Sequence, residues 1–180
     1  MRIIGGRLKG RKISTSSKFK GRPTTDFGRE SLFNILRNRV DLTEMHVLDL
    51  FSGTGAMSLE AASHGALSVT SVEMNRPSAM SIRKNMNDLG IENGMVVTGD
   101  VFKFIKKAPR QYDLIIADPP FALELLPKLP EFIQKTNLLA PDGLFVLEHG
   151  PEHHFDEAEG FEEERRYGHV HFSFFTFEEE

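Results

Sequence analysis

The 180-residue chain contains no cysteine. That excludes disulfides, thiolate metal sites and a cysteine nucleophile, and it is compatible with a reducing compartment. No apolar run approaches the ~20 residues that span a bilayer. The opening MRIIGGRLKGRKI carries charge but lacks the apolar block of a secretory signal. Internal repeats are also missing. At 180 residues one domain with a small appendage is expected, large enough to bury a core without staples. The sequence reads as a soluble cytoplasmic protein, with no membrane partner and no metal, and a monomer is expected.

The net charge of −4 hides an asymmetry along the chain. Residues 1–39 hold eleven Lys/Arg against two acids, a balance of +9. Residues 142–180 hold two Arg against twelve acids, a balance of −10. A basic arm on an otherwise acidic protein points to a polyanion partner. The plainer alternatives are that the two ends pair with each other or that the arm is simply solvated. The first 20 residues read as a short basic hairpin, RIIGG and RKIST around Gly10, and residues 14–21 as mobile. The chain therefore divides into an arm, 1–21, and a main domain, 22–180. In RPTTD (22–26), Thr25 is the expected N-cap of a helix whose packing face holds Phe27, Leu32, Ile35, Leu36 and Val40.

From His46 onward strands and helices alternate. HVLDL (46–50), LSVTSVE (67–73), MVVTGD (95–100), YDLIIAD (112–118) and GLFVLE (143–148) read as strands. Helices are expected over Ala56–His64, after Asn75 as far as Gly90, across VFKFIKKA, and from Phe121 to about Asn137. This alternation predicts an α/β fold with a parallel sheet covered on both faces. FEEERRY (161–167) and HVHFSFF (169–175) flank Gly168 and read as an antiparallel hairpin joined to the sheet edge. His169 and His171 share a strand face and invite a metal site with His149, His153 or His154, but packing or surface histidines are the preferred reading. The acidic end is expected to be disordered.

Ligands of such sheets bind beyond the carboxyl ends of the strands, and Asp49, Glu73, Asp100 and Asp118 all fall there. One acid at a strand end is a common helix cap; one per strand over four strands is harder to attribute to capping. VLDLFSGTGAMS (47–58) is a strand, a glycine turn and a helix start. Gly53 and Gly55 permit a tight turn and close approach of a ligand to backbone N–H groups. As a dinucleotide fingerprint it lacks the third glycine. Asp49, four residues before Gly53, would repel a pyrophosphate but suit an ammonium or sulfonium. Glu73 suits ribose hydroxyls, and Asp100 an exocyclic amine of adenine with Val101 or Phe102 against the ring. Adenine, ribose and a cationic amino-acid tail together describe S-adenosylmethionine.

In DLIIADPPF (113–121) the strand stops on Asp118. Pro119 and Pro120 fix their own φ, remove two donors and keep the preceding residues out of the helical region. The result is a rigid row of acceptors, the Asp118 carboxylate and the Pro119 carbonyl, suited to the two N–H groups of an exocyclic amine. Phe121 offers a face on which a splayed-out base can stack. Catalysis would then be mostly positioning, with Asp118 chiefly orienting the amine.

Asp118-Pro119-Pro120-Phe121 resembles the [DN]-PP-[FY] motif of amino-methyltransferases. RIIGGRLKGRKI, RPTTDFGRESLFNIL (22–36) and LDLFSGTGAMSLEAASHGA (48–66) extend the resemblance over essentially the whole chain to the RsmD family of bacterial 16S rRNA guanine-N2 methyltransferases. It implies a Rossmann-like sheet of seven strands and methyl transfer to one guanine in assembled or assembling small subunits. By position it implies that Asp49, Phe51, Gly53 and Gly55 form the donor loop. Glu73 and Met74 would hold ribose and adenine, Asp100 and Val101 the adenine edge, and Asp118, Pro119, Pro120 and Phe121 the acceptor site. It also implies that Arg22, Thr24, Thr25 and Arg29 border the active site and that Arg7, Lys9, Arg11 and Lys12 of the arm bind rRNA. The rivals are an adenine-N6 or protein glutamine methyltransferase, the latter usually carrying Asn instead of Asp at position 118, and a non-catalytic RNA-binding assembly factor. DNA enzymes usually carry a recognition insert for which there is no room here, and an intact donor loop argues against loss of activity.

Overall fold

The computed structural model describes residues 1–178. Helix α1 (Asp26–Arg39) leads into β1 (His46–Leu50), α2 (Ala56–Ser63), β2 (Ser68–Glu73), α3 (Arg76–Asp88), β3 (Gly94–Thr98), α4 (Val101–Lys107) and β4 (Tyr112–Ala117). Then come α5 (Leu129–Lys135), β5 (Leu139–His149), β6 (Phe161–Tyr167) and β7 (Val170–Phe175). The seven strands form one sheet in the order β3-β2-β1-β4-β5-β7-β6. The first five are parallel, while β7 is antiparallel to β5 and β6 antiparallel to β7. No helix among the described residues is long and apolar enough to cross a membrane.

The parallel strands are apolar on both faces because helices cover both. Alternation along each strand sorts side chains into two cores. Val47, Leu114, Ile116, Leu144 and Val146 face one, with α1, α2 and α3. Leu48, Leu50, Ile115, Phe145 and Leu147 face the other, with α4 and α5. The helix starts follow the expected chemistry: Thr25, Asn75 and Asp100 each accept a backbone N–H with the side chain.

Three expectations need correction. β5 begins at Leu139, not Gly143: Tyr112 pairs with Leu139 and Leu114 already with Leu144, so Pro141, Asp142 and Gly143 lie in a bulge that reads as a turn in sequence. The helical material after Phe121 shrinks to a 3-10 turn (Leu126–Lys128) and α5. Phe27 is 65% exposed, its ring meeting that of Tyr167 edge-on at 5.6 Å. The expected disorder of Glu179 and Glu180 falls outside the described residues.

The N-terminal residues do pair as a hairpin, with Arg2 opposite Lys12 and Ile3 N–H bonded to the Arg11 carbonyl at 2.9 Å. Ile3, Leu8 and Ile13 are buried in the first core, each such burial contributing roughly 1.5–3 kcal/mol. Ser63 at the end of α2 receives Arg7 N–H on its carbonyl and Leu8 N–H on its hydroxyl, both at 2.8 Å. Asn85 of α3 bonds both N–H and C=O of Ser14. Beneath the arm lies a buried ion pair, Arg29 Nε to Glu60 at 3.2 Å, with both side chains at most 1% exposed. Arg29 also donates to the Arg2 carbonyl at 2.6 Å, and Glu60 accepts from the Ile4 and Gly5 N–H groups. Removing one member of such a pair leaves an unpaired buried charge, at a cost of about 3–5 kcal/mol. Glu60→Leu should therefore lower denaturant stability by that order and expose residues 1–13 to protease. An unchanged midpoint with an intact arm would show that the pair does not hold it.

Candidate active site at the strand ends

Strand order reverses between β1 and β4: from β1 the chain proceeds outward through β2 and β3, then returns to place β4 on the other flank. The loops leaving β1 and β4 diverge there and open a crevice beyond the strands' carboxyl ends. Asp49 lies inside the end of β1, Glu73 closes β2, Asp118 follows β4, and Asp100 lies two residues past β3. Parity along the strands puts Asp49 and Asp118 on the face of the first core, with Val47 and Ile116.

The turn after β1 is closed by Gly55 N–H to the Ser52 carbonyl at 2.7 Å and Ser52 Oγ to the Asp49 carbonyl at 2.7 Å. Phe51 adopts φ +59°, a conformation uncommon for a side-chain-bearing residue; its ring meets Phe102 at 6.2 Å. Gly55 is the N-cap of α2 at φ +79°, and a Cβ there would lie 2.7 Å from Ile82. Gly53, at φ +56°, faces the Phe19 ring, which a Cβ would meet at 3.1 Å. The loop is thus held open to close approach, with an aromatic ring from residues 14–21 laid across it. Glu73 anchors it by accepting Gly53 N–H at 2.6 Å and Asn75 N–H at 2.8 Å.

Asp49 is 1% exposed, and no salt bridge among the described residues reaches it. It accepts Ser58 N–H at 3.1 Å and the Ser58 hydroxyl at 2.6 Å. Loss of hydration pushes its carboxyl up to about 7, against those two bonds, with Asp118 and Glu73 adding repulsion. A buried acid with no salt bridge among the described residues, beside a glycine turn, fits a cationic ligand group. Across the crevice Asp118 N–H bonds the Leu50 carbonyl at 3.3 Å. No backbone donor among the described residues reaches the Pro119 carbonyl, whereas that of Pro120 accepts Leu123 N–H at 2.9 Å. Phe121 is 38% exposed at the mouth.

An unanticipated acid completes the corner. Leu147 pairs with Ala117, so the next residues, Glu148 and Asp118, are neighbours on the same sheet face. Glu148 is 3% exposed. The Thr24 hydroxyl lies 3.0 Å from Asp118 Oδ2 and 2.8 Å from Glu148 Oε2. Desolvation raises Asp118 to about 6 and Glu148 well above the ordinary carboxylate range, where repulsion from Asp118 adds to it. The signal was available, since a fifth parallel strand also ends on an acid.

Other expected site residues spread out. Asp100 caps α4 by accepting Lys103 N–H at 2.9 Å. Val101 is buried in the second core, and Met74 is 70% exposed at the rim. Thr25 caps α1 and Arg22 is exposed. Arg7, Lys9, Arg11 and Lys12 are all exposed on the arm. Arg29 must be corrected: its side chain is wholly buried beneath the arm, so it anchors the arm and presents no charge to a partner. His149, Glu164 and His171 place nitrogen and oxygen atoms within 4.8 Å of one another. Those atoms are already engaged, His149 with Ser173 at 2.7 Å and Gly150 O at 2.8 Å, and His171 with Glu164 at 3.0 Å. His153 turns to the Phe121 carbonyl at 3.4 Å.

The raised acids make stability depend on pH in a defined direction. A carboxyl at about 7 in the folded state and near 4 unfolded binds more protons folded than unfolded between those values. Its contribution is therefore favourable below the unfolded value and is lost as pH rises through the folded one. Asp49→Asn should remove a negative slope of up to about 1.4 kcal/mol per pH unit between pH 5 and 7. Chemical denaturation of the two proteins across that window measures the difference; parallel slopes would mean that Asp49 is ionised throughout.

The family described as "Conserved hypothetical protein 95" matches residues 1–176. Ribosomal RNA small subunit methyltransferase D of Buchnera aphidicola is 35% identical over 148 residues, 82% of this chain and 75% of that protein. The Escherichia coli K12 protein of the same name is 34% identical over 148 residues, 82% of this chain and 74% of its own length. The solved structure of Escherichia coli yhhF superposes with a TM-score of 0.85 at 32% identity, covering 100% of this chain and 99% of that one. Matched along nearly its whole length, the chain belongs to the RsmD family of small-subunit ribosomal RNA methyltransferases.

Proposed function

We propose that the protein transfers a methyl group from S-adenosylmethionine to the exocyclic N2 amine of one guanine in 16S rRNA, on an assembled or assembling small subunit in the cytoplasm, acting as a monomer. One observation carries this reading. The parallel pairing of β1 with β4 sets the Asp118-Pro119-Pro120-Phe121 corner directly across the crevice from the glycine turn. An amine held at the first therefore faces a donor held at the second.

S-adenosylmethionine supplies a methyl group activated by a sulfonium. The rest is work for the chain. Asp49 offers buried negative charge to the cationic tail, and Gly53 and Gly55 let it approach the backbone. Glu73 stiffens the turn and keeps lone pairs for ribose hydroxyls, while Asp100 and Val101 border the adenine edge. Asp118 and the Pro119 carbonyl take the two amine hydrogens, which turns the nitrogen lone pair toward the methyl carbon. Phe121, exposed at the mouth, stacks the base. The exposed cations Arg7, Lys9, Arg11, Lys12 and Arg22 lie along the N-terminal segment, placed to meet phosphates.

Small subunits from a strain lacking the enzyme should accept labelled methyl from the purified protein, with N2-methylguanine found on digestion. Methylated adenine would replace the reading with the N6 alternative. Donor binding without transfer would favour an assembly factor. Asp118→Ala should abolish transfer while donor affinity changes little; collapse of donor binding would show that Asp118 belongs to the donor site. Replacing Arg7, Lys9, Arg11 and Lys12 by Ala should flatten the salt dependence of RNA binding by about three in log–log slope. An unchanged slope would remove the arm from the RNA interface.

A further inference from the structure

Glu148 is the residue that the proposed chemistry leaves unused and the geometry does not. Burial at 3% exposure should be costly for a carboxylate without a cation, and no salt bridge among the described residues reaches it. Facing it are Asp118 at the end of β4, Asp49 at the end of β1 and the Thr24 hydroxyl ahead of α1. On its other flank β7 presents the uncharged Phe172. The adjacent His149 points to the opposite side of β5, toward Ser173 and the Gly150 carbonyl.

Thr24 shows what is missing. Its hydroxyl lies within hydrogen-bond distance of both Asp118 Oδ2 and Glu148 Oε2. A hydroxyl has one proton to donate, so it can satisfy only one of two carboxylates. The arrangement closes only when a further proton sits on the pair itself, as in carboxyl pairs that share one proton because both cannot ionise at close range.

We infer that Glu148 is a positioning residue for methyl transfer: in its neutral form it keeps a proton on the acid pair that the Thr24 hydroxyl bridges, leaving Asp118 a carboxylate aimed at the amine. This rests on the amine-methylation reading above. The amine lone pair forms the new N–C bond as the C–S bond breaks and its electrons leave with the thioether. The nitrogen then sheds one proton to Asp118, which passes it to water. With Glu148 ionised, two adjacent anions would compete for one Thr24 proton and the acceptor corner would splay. With Glu148 absent, Asp118 would lose a donor that favours its charged form. Burial raises both groups, Glu148 well above its ordinary range and Asp118 to about 6, so a proton stays on the pair. The two groups titrate as a pair.

The test uses the full chain on subunits lacking the methyl mark, with kcat, KM and S-adenosylmethionine affinity followed from pH 5 to 10. Glu148→Leu, which keeps the corner apolar and filled, should lower kcat roughly tenfold or more. It should leave donor affinity within about twofold and shift the acid limb of the profile to higher pH. Glu148→Gln, which retains a donor, should recover most of that loss and carry activity further into the alkaline range than the wild type. Thr24→Val removes a hydroxyl that favours both charged forms and should move both limbs of the profile to higher pH. The inference is overturned if Glu148→Gln falls as far as Glu148→Leu, which would require a charged glutamate. It is overturned equally if Glu148→Leu keeps the wild-type profile. Should Glu148→Leu fail to fold, the alkaline limb of Glu148→Gln against wild type decides alone. A wild type that transfers no methyl refutes the underlying reading; wild-type activity with unaltered variants refutes this inference only.

Discussion

Three carboxyl groups, Asp49, Asp118 and Glu148, meet at one corner of the sheet, and no salt bridge among the described residues reaches any of them. Proteins seldom keep such an arrangement, because each buried charge loses hydration and repels the next. Two outcomes relieve it: a proton shared within the cluster, or a cationic ligand brought in from outside. Burial first of all raises the titration of all three groups, so the cluster holds on to protons. The second is what the proposed donor would bring, a sulfonium and an ammonium. A pocket neutralised in advance by its own lysine or arginine would have no such affinity. The cost in the ligand-free protein and the attraction for the donor share one electrostatic cause.

Elsewhere the chain resolves buried charge in the usual manner, which makes the corner stand out. Arg29 and Glu60 are as deeply buried, yet they face each other, and backbone groups of Arg2, Ile4 and Gly5 complete their bonding. That pair joins α1, α2 and the arm into one body, so the arm's exposed cations ride on a rigid base. An arm tethered only by its own short hairpin would be marginally stable. Ile3, Leu8, Ile13 and the Ser63 and Asn85 bonds supply what the hairpin lacks.

Much of this was legible in the sequence because parallel sheets write their function at strand ends. Alternation of strand and helix gave the order of elements, and acids closing successive strands marked the site edge. Thr25 and Asn75 announced helix starts that the structure keeps, while Asp100, read as a ligand acid, caps α4. The misses share a cause, namely contacts made far along the chain. Arg29 reads as one more cation in a basic stretch until Glu60, thirty-one residues on, is seen to enclose it. Glu148 looked like the last letter of a strand because its partners are Asp118 and a threonine 124 residues away. The early start of β5 was masked by Pro141-Asp142-Gly143, a turn signal in sequence and a bulge in the sheet.

Thr24 ties these strands of reasoning together. It lies two residues beyond Arg22 in the segment that runs from the basic arm to α1, and its side chain reaches the proton-sharing acids. One short stretch thus carries a phosphate-seeking charge at one end and the hydroxyl that orders the catalytic corner at the other. The arm ahead of it is seated on α2 and α3, and α1 behind it is fixed by the Arg29–Glu60 pair, so residues 22–25 are clamped from both sides. Upstream, Phe19 lies across Gly53 of the glycine turn. The same few residues therefore touch both halves of the crevice, the glycine turn through an aromatic ring and the acceptor corner through a hydroxyl. A polyanion engaging the arm would bear on the geometry of both halves through covalently adjacent residues, with no long-range network required.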